Sequence, residues 1–526
     1  MVRREAAAFV FFGALAALAT RPLAADLSGS MFPGPDPLIN LWTVHWLASH
    51  LLSPFQLLQG NIFRPFPHAV LHSDLALGTV VLVAPLRLFV SDPVPLHNAA
   101  VLTALAFGGW AFHRLVLDLT GNRTAGLVAG VLASFGSHQL THLSHLPLLS
   151  IGWIAFFLLG LFRLRDRPSL GAILLAGTSF ALVAQSTGYY TVAVVLIAVV
   201  FAAANARALR EWARTRAMLG AVVVAVLLTA PYLKAFLTLH GEEGMRRLEG
   251  DSARMAFQPD RDLTSRSYLY RPVLGSEGGR LFPGLISLLL GGWALVRRRK
   301  ESVFIAAAAL VLVVVSLGPR LRLKGVDVPL PYTWLLAIPP LDSMRHPLTF
   351  AAVAVLSLAV LAGLGWAALP LARRPWAGQA VVVLAVVETL GPPPAVTQVP
   401  PAVPPVYEVL LRLPKGPALD LPVLDEDTML WAARHGLPVL NGQGAFTPPE
   451  TATLDRQVRR HWLADAPDDL DTSNPAVLLE RIGVRYVIVP RGRRPGLRTL
   501  ATAFDRSQSF AFVTEATDGD RIYERR

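Results

Sequence analysis

The 526-residue sequence contains no cysteine and few charged residues. Without cysteine, the protein has no disulfide, no thiolate metal ligand and no cysteine nucleophile. Charged residues make up 16% of the chain, whereas a soluble globular protein has about 25%. Hydrophobic residues make up 53%, and the mean hydropathy is +0.47. This composition excludes a disordered chain and an ordinary soluble enzyme, and it indicates a protein with many membrane spans.

Apolar stretches that approach the length of a membrane span recur through most of the chain. A spanning helix needs about 20 mostly apolar residues, and about twelve stretches come close to this length. They comprise residues 6–23, 75–90, 95–112, 125–140, 146–162, 170–185, 189–204, 217–236, 281–296, 303–317, 347–369 and 376–390. The first follows Arg3 and Arg4 and also resembles a signal peptide. We interpret it as an uncleaved first span.

The arginine and lysine residues between these stretches predict the orientation of the chain. Short loops on the cytoplasmic side of a membrane carry an excess of these residues. The basic loops comprise residues 113–123, 162–167, 205–216, 296–300 and 372–374. They all face the cytoplasm, together with the N-terminus, only if residues 75–90 do not cross the membrane. We therefore predict about eleven spans. The net charge of +12 then belongs mostly to cytoplasmic loops, and no nucleic-acid partner is expected.

Beyond the last span the composition becomes that of a soluble domain. Residues 393–406 form a proline-rich linker, which is typical of a semi-rigid spacer. Short strands are predicted at residues 418–423, 437–442, 484–490 and 510–516, and helices at 404–413 and 474–483. We predict a small α/β domain at residues 407–526, outside the membrane and able to fold alone.

The predicted fold class is therefore mainly α. It is a polytopic membrane protein in which residues 1–392 form the transmembrane domain, with outer loops at 24–94 and 238–280. The small C-terminal α/β domain follows the linker. The location that this topology predicts is the bacterial cytoplasmic (inner) membrane, with the N-terminus inside and the C-terminal domain outside.

Two carboxylates in the first outer loop are candidate catalytic residues. Asp36 begins a stretch whose apolar residues recur at helical spacing, which predicts an amphipathic helix at the membrane interface. Asp36 is either the N-cap of this helix or a catalytic carboxylate. Asp74 lies at the edge of an apolar stretch, where a carboxylate is costly and usually functional. It too has the alternative of an ordinary N-cap.

Histidines at the outer end of a predicted span form the first group of candidate ligand-binding residues. His138, His142 and His145 are spaced so that they share a helix face. They either line a polar cavity or bind a phosphate or a divalent metal. No carboxylate lies near them in the sequence, so a metal site is not supported and no cofactor is expected.

Other polar residues on the outer side are candidates for binding a sugar or a phosphate. Gln185 and Tyr189 lie in QSTGYY, which either binds sugar hydroxyls or forms a polar turn. Arg345 and His346 lie at the outer mouth of a span. Arg345 either holds a phosphate through paired hydrogen bonds or forms an ion pair with Asp342. The long outer loop contains three further phosphate candidates, which are Arg266, Arg271 and Arg280.

This order of features resembles the GT-C glycosyltransferases, which use polyprenyl-phosphate sugars on the outer face of the membrane. More closely, it resembles the bacterial branch that contains the YfhO-like membrane proteins. The matching motifs are GPDPLINLW, NIFRPFPHAVLHSDLALG, FGSHQLTHLSHLPLLSIGW, QSTGYY, DSMRHPLTF, PVLNGQG and LLERIGVRYVIVP.

The resemblance implies roles for particular residues. Asp36 matches the acidic residue that acts as a general base or positions the acceptor. Arg64, in NIFRPFPHAV, becomes a candidate substrate-binding residue. The region in which many members carry a second acidic residue reads HQLTHLSH here, without a carboxylate.

Two functions therefore stand as hypotheses. The first is a membrane glycosyltransferase that moves a hexose or pentose from a polyprenyl-phosphate donor to an extracytoplasmic glycan or lipid acceptor. The second is a non-enzymatic transporter or scaffold for lipid-linked cell-envelope precursors. Transporters tend to carry ionisable residues at mid-membrane, whereas the predicted spans are nearly free of charge and the polar residues lie on one side. This asymmetry favours the glycosyltransferase.

Overall fold

The computed structural model describes residues 2–243, 249–323, 326–339, 341–463 and 474–526. These residues pack into two compact units. The helical unit comprises Met1–Asp26, Ala76–Leu82 and Asn98–Val396. The mixed unit comprises Leu27–Leu75, Val83–His97 and Thr397–Arg526. Most of the first predicted outer loop therefore packs together with the C-terminal residues.

Long apolar helices form the framework of the helical unit. Among the described residues, eleven helices coincide with the predicted spans other than residues 75–90. They are Val2–Ala19, Pro93–Thr120, Arg123–Phe135, Gly152–Asp166, Leu170–Ala184, Gly188–Ala204, Trp212–Glu243, Leu285–Val296, Lys300–Ser316, Leu348–Ala367 and Pro375–Thr389. Two of them begin at classical capping side chains, because Asn122 accepts a hydrogen bond from the Ala125 amide and Ser169 accepts one from the Ala172 amide.

Shorter elements connect these helices. The α-helical ones are Leu77–Val83, Ser137–Thr141, Leu146–Leu149, Glu249–Arg254, Pro259–Asp262, Arg271–Leu274 and Pro331–Leu336. Single 3₁₀ turns lie at Leu23–Ala25, Ala84–Leu88, Ala208–Arg210, Leu341–Ser343 and Pro370–Arg373. The strands Arg320–Leu323 and Val326–Pro329 pair antiparallel as a hairpin.

Four of the described helical segments are long and apolar enough to span a membrane. They are Pro93–Thr120, Leu146–Asp166, Trp212–Glu242 and Leu348–Ala367. The apolar segment Leu77–Leu88 is shorter, and its rise of about 18 Å falls well below a hydrocarbon core of about 30 Å. Leu285–Val296, which coincides with a predicted span, is equally short, so helix length does not decide whether residues 75–90 cross the membrane. The helices indicate a multi-pass membrane protein, while the exact number of spans and the orientation stay predictions.

The helix Leu348–Ala367 lies at the centre of the helical unit. Buried residues make up 83% of its most apolar stretch, and it packs against Leu285–Val296, Lys300–Ser316 and Arg123–Phe135. Gly365 allows one close approach, since a β-carbon there would lie 1.8 Å from the Leu290 carbonyl oxygen. In contrast, only 11% of the corresponding stretch of Trp212–Glu242 is buried. That helix therefore exposes apolar side chains, as expected of a helix that faces lipid.

A four-stranded sheet lies at the centre of the mixed unit. Its strands follow the order Ala418–Asp420, Tyr486–Val489, Arg521–Arg525 and Phe510–Glu515. The first pair is parallel and the other two pairs are antiparallel. The α-helices of this unit are Pro35–His50, Pro54–Leu57, Pro405–Leu410, Asp427–His435, Pro449–Val458, Asn474–Ile482 and Arg498–Arg506. Short 3₁₀ turns lie at Ala69–His72 and Pro495–Leu497, and a π-helical turn lies at Arg459–Leu463.

The helix Pro35–His50 forms where the sequence predicts it, but its surroundings differ from the prediction. Its residues Leu41, Trp42, Val44 and Leu47 are buried, and the helix packs against Asp427–His435. Leu41 and Trp42, two of the residues that predicted membrane contact, therefore pack inside the mixed unit, whereas Leu52 is exposed.

Part of the predicted linker is also structured. Within residues 393–406, Thr397–Gln398 pairs antiparallel with Ser30–Met31. The backbone groups of these two residues bond to a strand from the first outer loop, while the boundaries of the linker stay a prediction.

Candidate anion-binding site

A break between two helices positions the predicted histidine cluster in the helical unit. The helix Arg123–Phe135 ends at Gly136, whose extended ψ of 161° redirects the chain before the short helix Ser137–Thr141 begins. The Ser137 hydroxyl lies 2.9 Å from the Ser265 hydroxyl and accepts a hydrogen bond from the Arg266 amide at 3.1 Å. These contacts fasten the short helix to the long loop that precedes Leu285–Val296.

The structure brings the three predicted histidines together as a series of neighbouring rings. The ring centroids of His138 and His142 lie 4.1 Å apart, and those of His142 and His145 lie 5.6 Å apart. Nδ1 of His142 lies 2.8 Å from the His138 carbonyl oxygen. Because a carbonyl only accepts, Nδ1 carries the proton and Nε2 of the neutral ring carries the lone pair.

His142 is uncharged at neutral pH in this arrangement. Its pKa is lowered to about 4, mainly by burial and also by the nearby charges of His145, Arg280 and His346, against a hydrogen bond to His138 that favours the protonated ring. A buried imidazole among positive groups is expected to gain a proton when an anion binds beside it, since the anion removes the repulsion. The electrostatics of the cluster therefore favour an anionic ligand.

Arg280 reaches this cluster from a strained backbone position. Its φ is +50°, in the left-handed region that side-chain-bearing residues seldom adopt. Its Nη1 donates to the Thr141 hydroxyl at 3.3 Å, and its Nη2 lies 3.9 Å from Glu277, a carboxylate whose side chain is 93% exposed. Strained backbone positions cluster at functional sites. The guanidinium thus lies beside the imidazoles with only a weak, solvent-exposed counter-ion.

A tyrosine hydroxyl joins two further predicted segments. The hydroxyl of Tyr189 accepts hydrogen bonds from the main-chain amides of Arg345 and His346, at 3.0 and 3.1 Å. The rings of Tyr189 and His346 lie 6.0 Å apart in an edge-to-face arrangement. Because His346 also acts electrostatically on His142, the segments QSTGYY and DSMRHPLTF meet at the histidine cluster. We call His138, His142, His145, Arg280 and His346 the imidazole–arginine cluster.

Several other predicted residues of this unit have different surroundings. The side-chain amide of Gln185 donates to the carbonyl oxygens of Ala181 and Leu228, both at 3.2 Å, and so links two helices. Asp342, the alternative partner of Arg345, lies 3.0 Å from Nε2 of His240. Arg271 is exposed, with its guanidinium 5.7 Å from the Tyr268 ring centroid.

The candidate residues of the first outer loop belong to the mixed unit. Asp36 is partly buried in the first turn of Pro35–His50, where the helix dipole favours a carboxylate, while Gly34 occupies the N-cap position. Asp74 is also partly buried and follows the 3₁₀ turn Ala69–His72. The main-chain amide of Arg64 donates to the Val439 carbonyl oxygen at 2.9 Å. The roles of these three residues stay predictions.

Comparison with solved structures finds the same arrangement of helices over the whole chain. ArnT from Cupriavidus metallidurans bound to undecaprenyl phosphate superposes with a TM-score of 0.50 and 12% identity, over 98% of this chain and 97% of that one. The apo form of ArnT gives 0.49 with 13% identity, also over 98% and 97%. The chain therefore has a fold similar to that of ArnT. The GT-C superfamily and the YfhO-like affiliation stay predictions.

Other comparisons are weaker. The archaeal oligosaccharyltransferase AglB from Archaeoglobus fulgidus, in complex with an inhibitory peptide and a dolichol-phosphate, gives a TM-score of 0.42 with 10% identity. That superposition covers 95% of this chain and 71% of AglB. No protein-family model matches the sequence, and comparison with curated proteins finds no similar sequence.

Among the cluster residues, Arg280 is the one whose importance sequence reasoning underestimated. It follows Gly278 and Gly279 in the sequence, and Gly278 has a φ of +89°. The glycine pair signals an unusual turn, but it does not show which residue the turn presents. Proximity to His142 arises from the fold of the whole loop.

Proposed function

We propose that this protein is a GT-C-type glycosyltransferase that transfers a sugar from a polyprenyl-phosphate donor to an extracytoplasmic glycan or lipid. The observation that carries the proposal is the imidazole–arginine cluster beside apolar helices in a chain with the fold of ArnT. ArnT has been solved with undecaprenyl phosphate bound, and we assign the same chemical class of lipid phosphate to this chain.

The cluster suits the phosphate of such a donor. A guanidinium offers paired N–H groups in the geometry that matches phosphate oxygens. Among the residues that the structure describes, Arg280 has one weakly bound carboxylate neighbour, Glu277. The imidazoles of His142 and His346 add donors once they are protonated. As the sugar–phosphate bond breaks, negative charge grows on the departing phosphate, so positive groups fixed in advance stabilise the transition state.

The transfer step that we propose is a direct displacement with inversion. The acceptor hydroxyl attacks the anomeric carbon and forms a new C–O bond as its proton passes to a carboxylate. The bond between the anomeric carbon and the phosphate oxygen breaks, and the lipid phosphate leaves with the electron pair. We propose Asp36 as the base, because it corresponds to the acidic residue implied by the resemblance.

The test is sugar transfer by purified, detergent-solubilised protein. Labelled polyprenyl-phosphate hexose and pentose serve as donors, and cell-envelope glycan and lipid fractions serve as acceptors. A general base contributes about 10² to 10⁴ in rate, so Asp36→Asn should remove most transfer without changing membrane abundance. Asp74→Asn tests a second carboxylate of the same loop, and Arg345→Ala tests phosphate stabilisation.

Two results would contradict the proposal. If wild-type protein releases no polyprenyl phosphate from either donor with any acceptor fraction, the transfer reaction is wrong. If Asp36→Asn transfers sugar as fast as the wild type, Asp36 is not the base. Loss of that variant from the membrane would instead make Asp36 a structural residue.

A further inference from the structure

A cavity in the helical unit is lined by none of the residues of the imidazole–arginine cluster. Its volume is about 330 Å³, and it lies at the adjoining ends of Val2–Ala19, Arg123–Phe135 and Pro375–Thr389. Its walls are almost entirely apolar, with Arg266 as the charged lining residue. The apolar side chains of the walls include Leu15, Leu18, Phe135, Val386 and Leu390. A volume near 300 Å³ is at the lower end of ligand-binding pockets.

Arg266 is incompletely paired in this apolar setting. One of its terminal N–H groups donates to the Pro392 carbonyl oxygen, and a guanidinium has five N–H donors in all. Within the part of the chain that the structure describes, no carboxylate forms an ion pair with it. Burial and the neighbouring Arg280 lower the pKa of Arg266. A partly buried charge of this kind is costly until a counter-ion arrives.

We propose that this cavity binds an anionic membrane phospholipid, with an acyl chain against the apolar walls and the phosphodiester on Arg266. The walls suit an alkyl chain, since they offer almost no hydrogen-bonding groups. The single guanidinium matches the single negative charge of a phosphodiester. The helices that form the cavity are predicted spans, so acyl chains surround them.

The lipid site and the imidazole–arginine cluster use different side chains. The Arg266 guanidinium bonds to Pro392 and lines the apolar cavity, whereas Arg280 bonds to Thr141 beside the histidines. A bound phospholipid would fill the space between Val2–Ala19 and Pro375–Thr389 and so stabilise the folded helices by mass action.

Native mass spectrometry of the delipidated full-length protein tests the proposal. The probes are phosphatidylglycerol, zwitterionic phosphatidylcholine and undecaprenyl phosphate, each titrated separately. Arg266→Gln removes the charge, and Ala19→Phe fills the cavity while keeping Arg266. Arg271→Gln is the matched control, because Arg271 is an exposed arginine of the same loop that does not line the cavity.

The expected result is one tightly bound phosphatidylglycerol per wild-type protein, held at least about tenfold more tightly than phosphatidylcholine. Arg266→Gln and Ala19→Phe should each weaken this binding about tenfold or more, while Arg271→Gln should not. Undecaprenyl phosphate binding should be the same in Arg266→Gln and wild type.

Three outcomes would overturn the assignment. The first is unchanged phosphatidylglycerol affinity in both cavity variants. The second is an equal loss in Arg271→Gln, which would indicate unspecific attraction to the loop. The third is a selective loss of undecaprenyl phosphate in Arg266→Gln, which would make the cavity part of the donor site. If Arg266→Gln does not fold, Ala19→Phe alone decides, because it retains the native charge.

Discussion

Replacing Arg280 by glycine should weaken both anion binding and the folded state. The native φ of +50° costs about 1 kcal/mol or more in a residue with a β-carbon. Glycine removes this strain, but it adds about 0.5–1 kcal/mol of backbone entropy to the unfolded state, so these two effects nearly cancel. The change also removes the hydrogen bond from Nε of Arg280 to the Ser276 carbonyl oxygen, and such a bond of a charged group contributes about 1.5–3 kcal/mol. The longer contacts with Thr141 and Glu277, at 3.3 and 3.9 Å, add about 1 kcal/mol at most. We therefore expect a loss of stability of about 1.5–4 kcal/mol.

The same change should also weaken ligand binding. A hydrogen bond to a charged group contributes about 1.5–3 kcal/mol, and each 1.4 kcal/mol corresponds to about tenfold in affinity. Arg280→Gly should therefore weaken the binding of undecaprenyl phosphate by about 10- to 150-fold. Arg280→Lys keeps the charge but loses the paired geometry, so it should give an intermediate loss.

Titration of purified protein with undecaprenyl phosphate, together with thermal unfolding, measures both effects. The chain offers a matched control in Arg298, an exposed arginine with a φ of +47° in a predicted cytoplasmic loop. Arg298→Gly should relieve the same kind of strain and leave binding unchanged. The reasoning is refuted if Arg280→Gly binds the lipid like the wild type, or if Arg298→Gly loses as much affinity.

Two further predictions concern the mixed unit. Asn61 accepts a hydrogen bond from the Trp42 indole and donates to the Ala432 carbonyl oxygen, both at 2.8 Å. Asn61→Ala leaves these two buried groups unpaired, which should lower the free energy of unfolding by about 1–3 kcal/mol for each group. Thermal unfolding measures this loss, and an unchanged melting temperature would contradict the bridging role. Burial lowers the pKa of His435 to about 3 in the folded protein. Between pH 6.5 and about 3 the unfolded state therefore binds one more proton at this residue than the folded state does. The free energy of unfolding should fall as the pH drops through this range. His435→Phe should flatten that pH dependence, and an equally steep profile would show that other groups cause it.

Local sequence properties predict which helices and strands form in this protein better than they predict which of these elements pack together. Runs of Ala, Leu and Val determine the apolar helices, because hydropathy is a property of each segment. The strands at Ala418–Asp420, Tyr486–Val489 and Phe510–Glu515 were also predictable from their apolar residues. The strand Arg521–Arg525 was not, because its charged residues hide the alternation and its pairing with Tyr486–Val489 is long-range.

The helix Pro35–His50 is another element whose packing partner the sequence does not predict. Its periodicity predicts an apolar face but does not identify what covers that face. Membrane lipid and the helix Asp427–His435 are equally suitable partners for Leu41 and Leu47, and only the fold selects the second. The C-terminal domain expressed alone would lack this cover, so the expectation that residues 407–526 fold independently loses support.

In the candidate site, residues close together in the sequence are easier to predict as neighbours than a residue that is far away in the sequence. The spacing of His138, His142 and His145 predicts a shared helix face, which is wrong because the helix Ser137–Thr141 contains only His138. Their rings are nevertheless neighbours. Arg280 is far from them in sequence, and its approach depends on a positive φ and on the path of a whole loop. Spacing along one helix carries no information about such a residue.

The most direct test of the central claim is an experimental density map of the protein with undecaprenyl phosphate, at a resolution that places a phosphate. We predict that the phosphate lies within hydrogen-bonding distance of the Arg280 guanidinium and of His142 or His346. A phosphate bound elsewhere in the helical unit, with the imidazole–arginine cluster empty, would contradict the account.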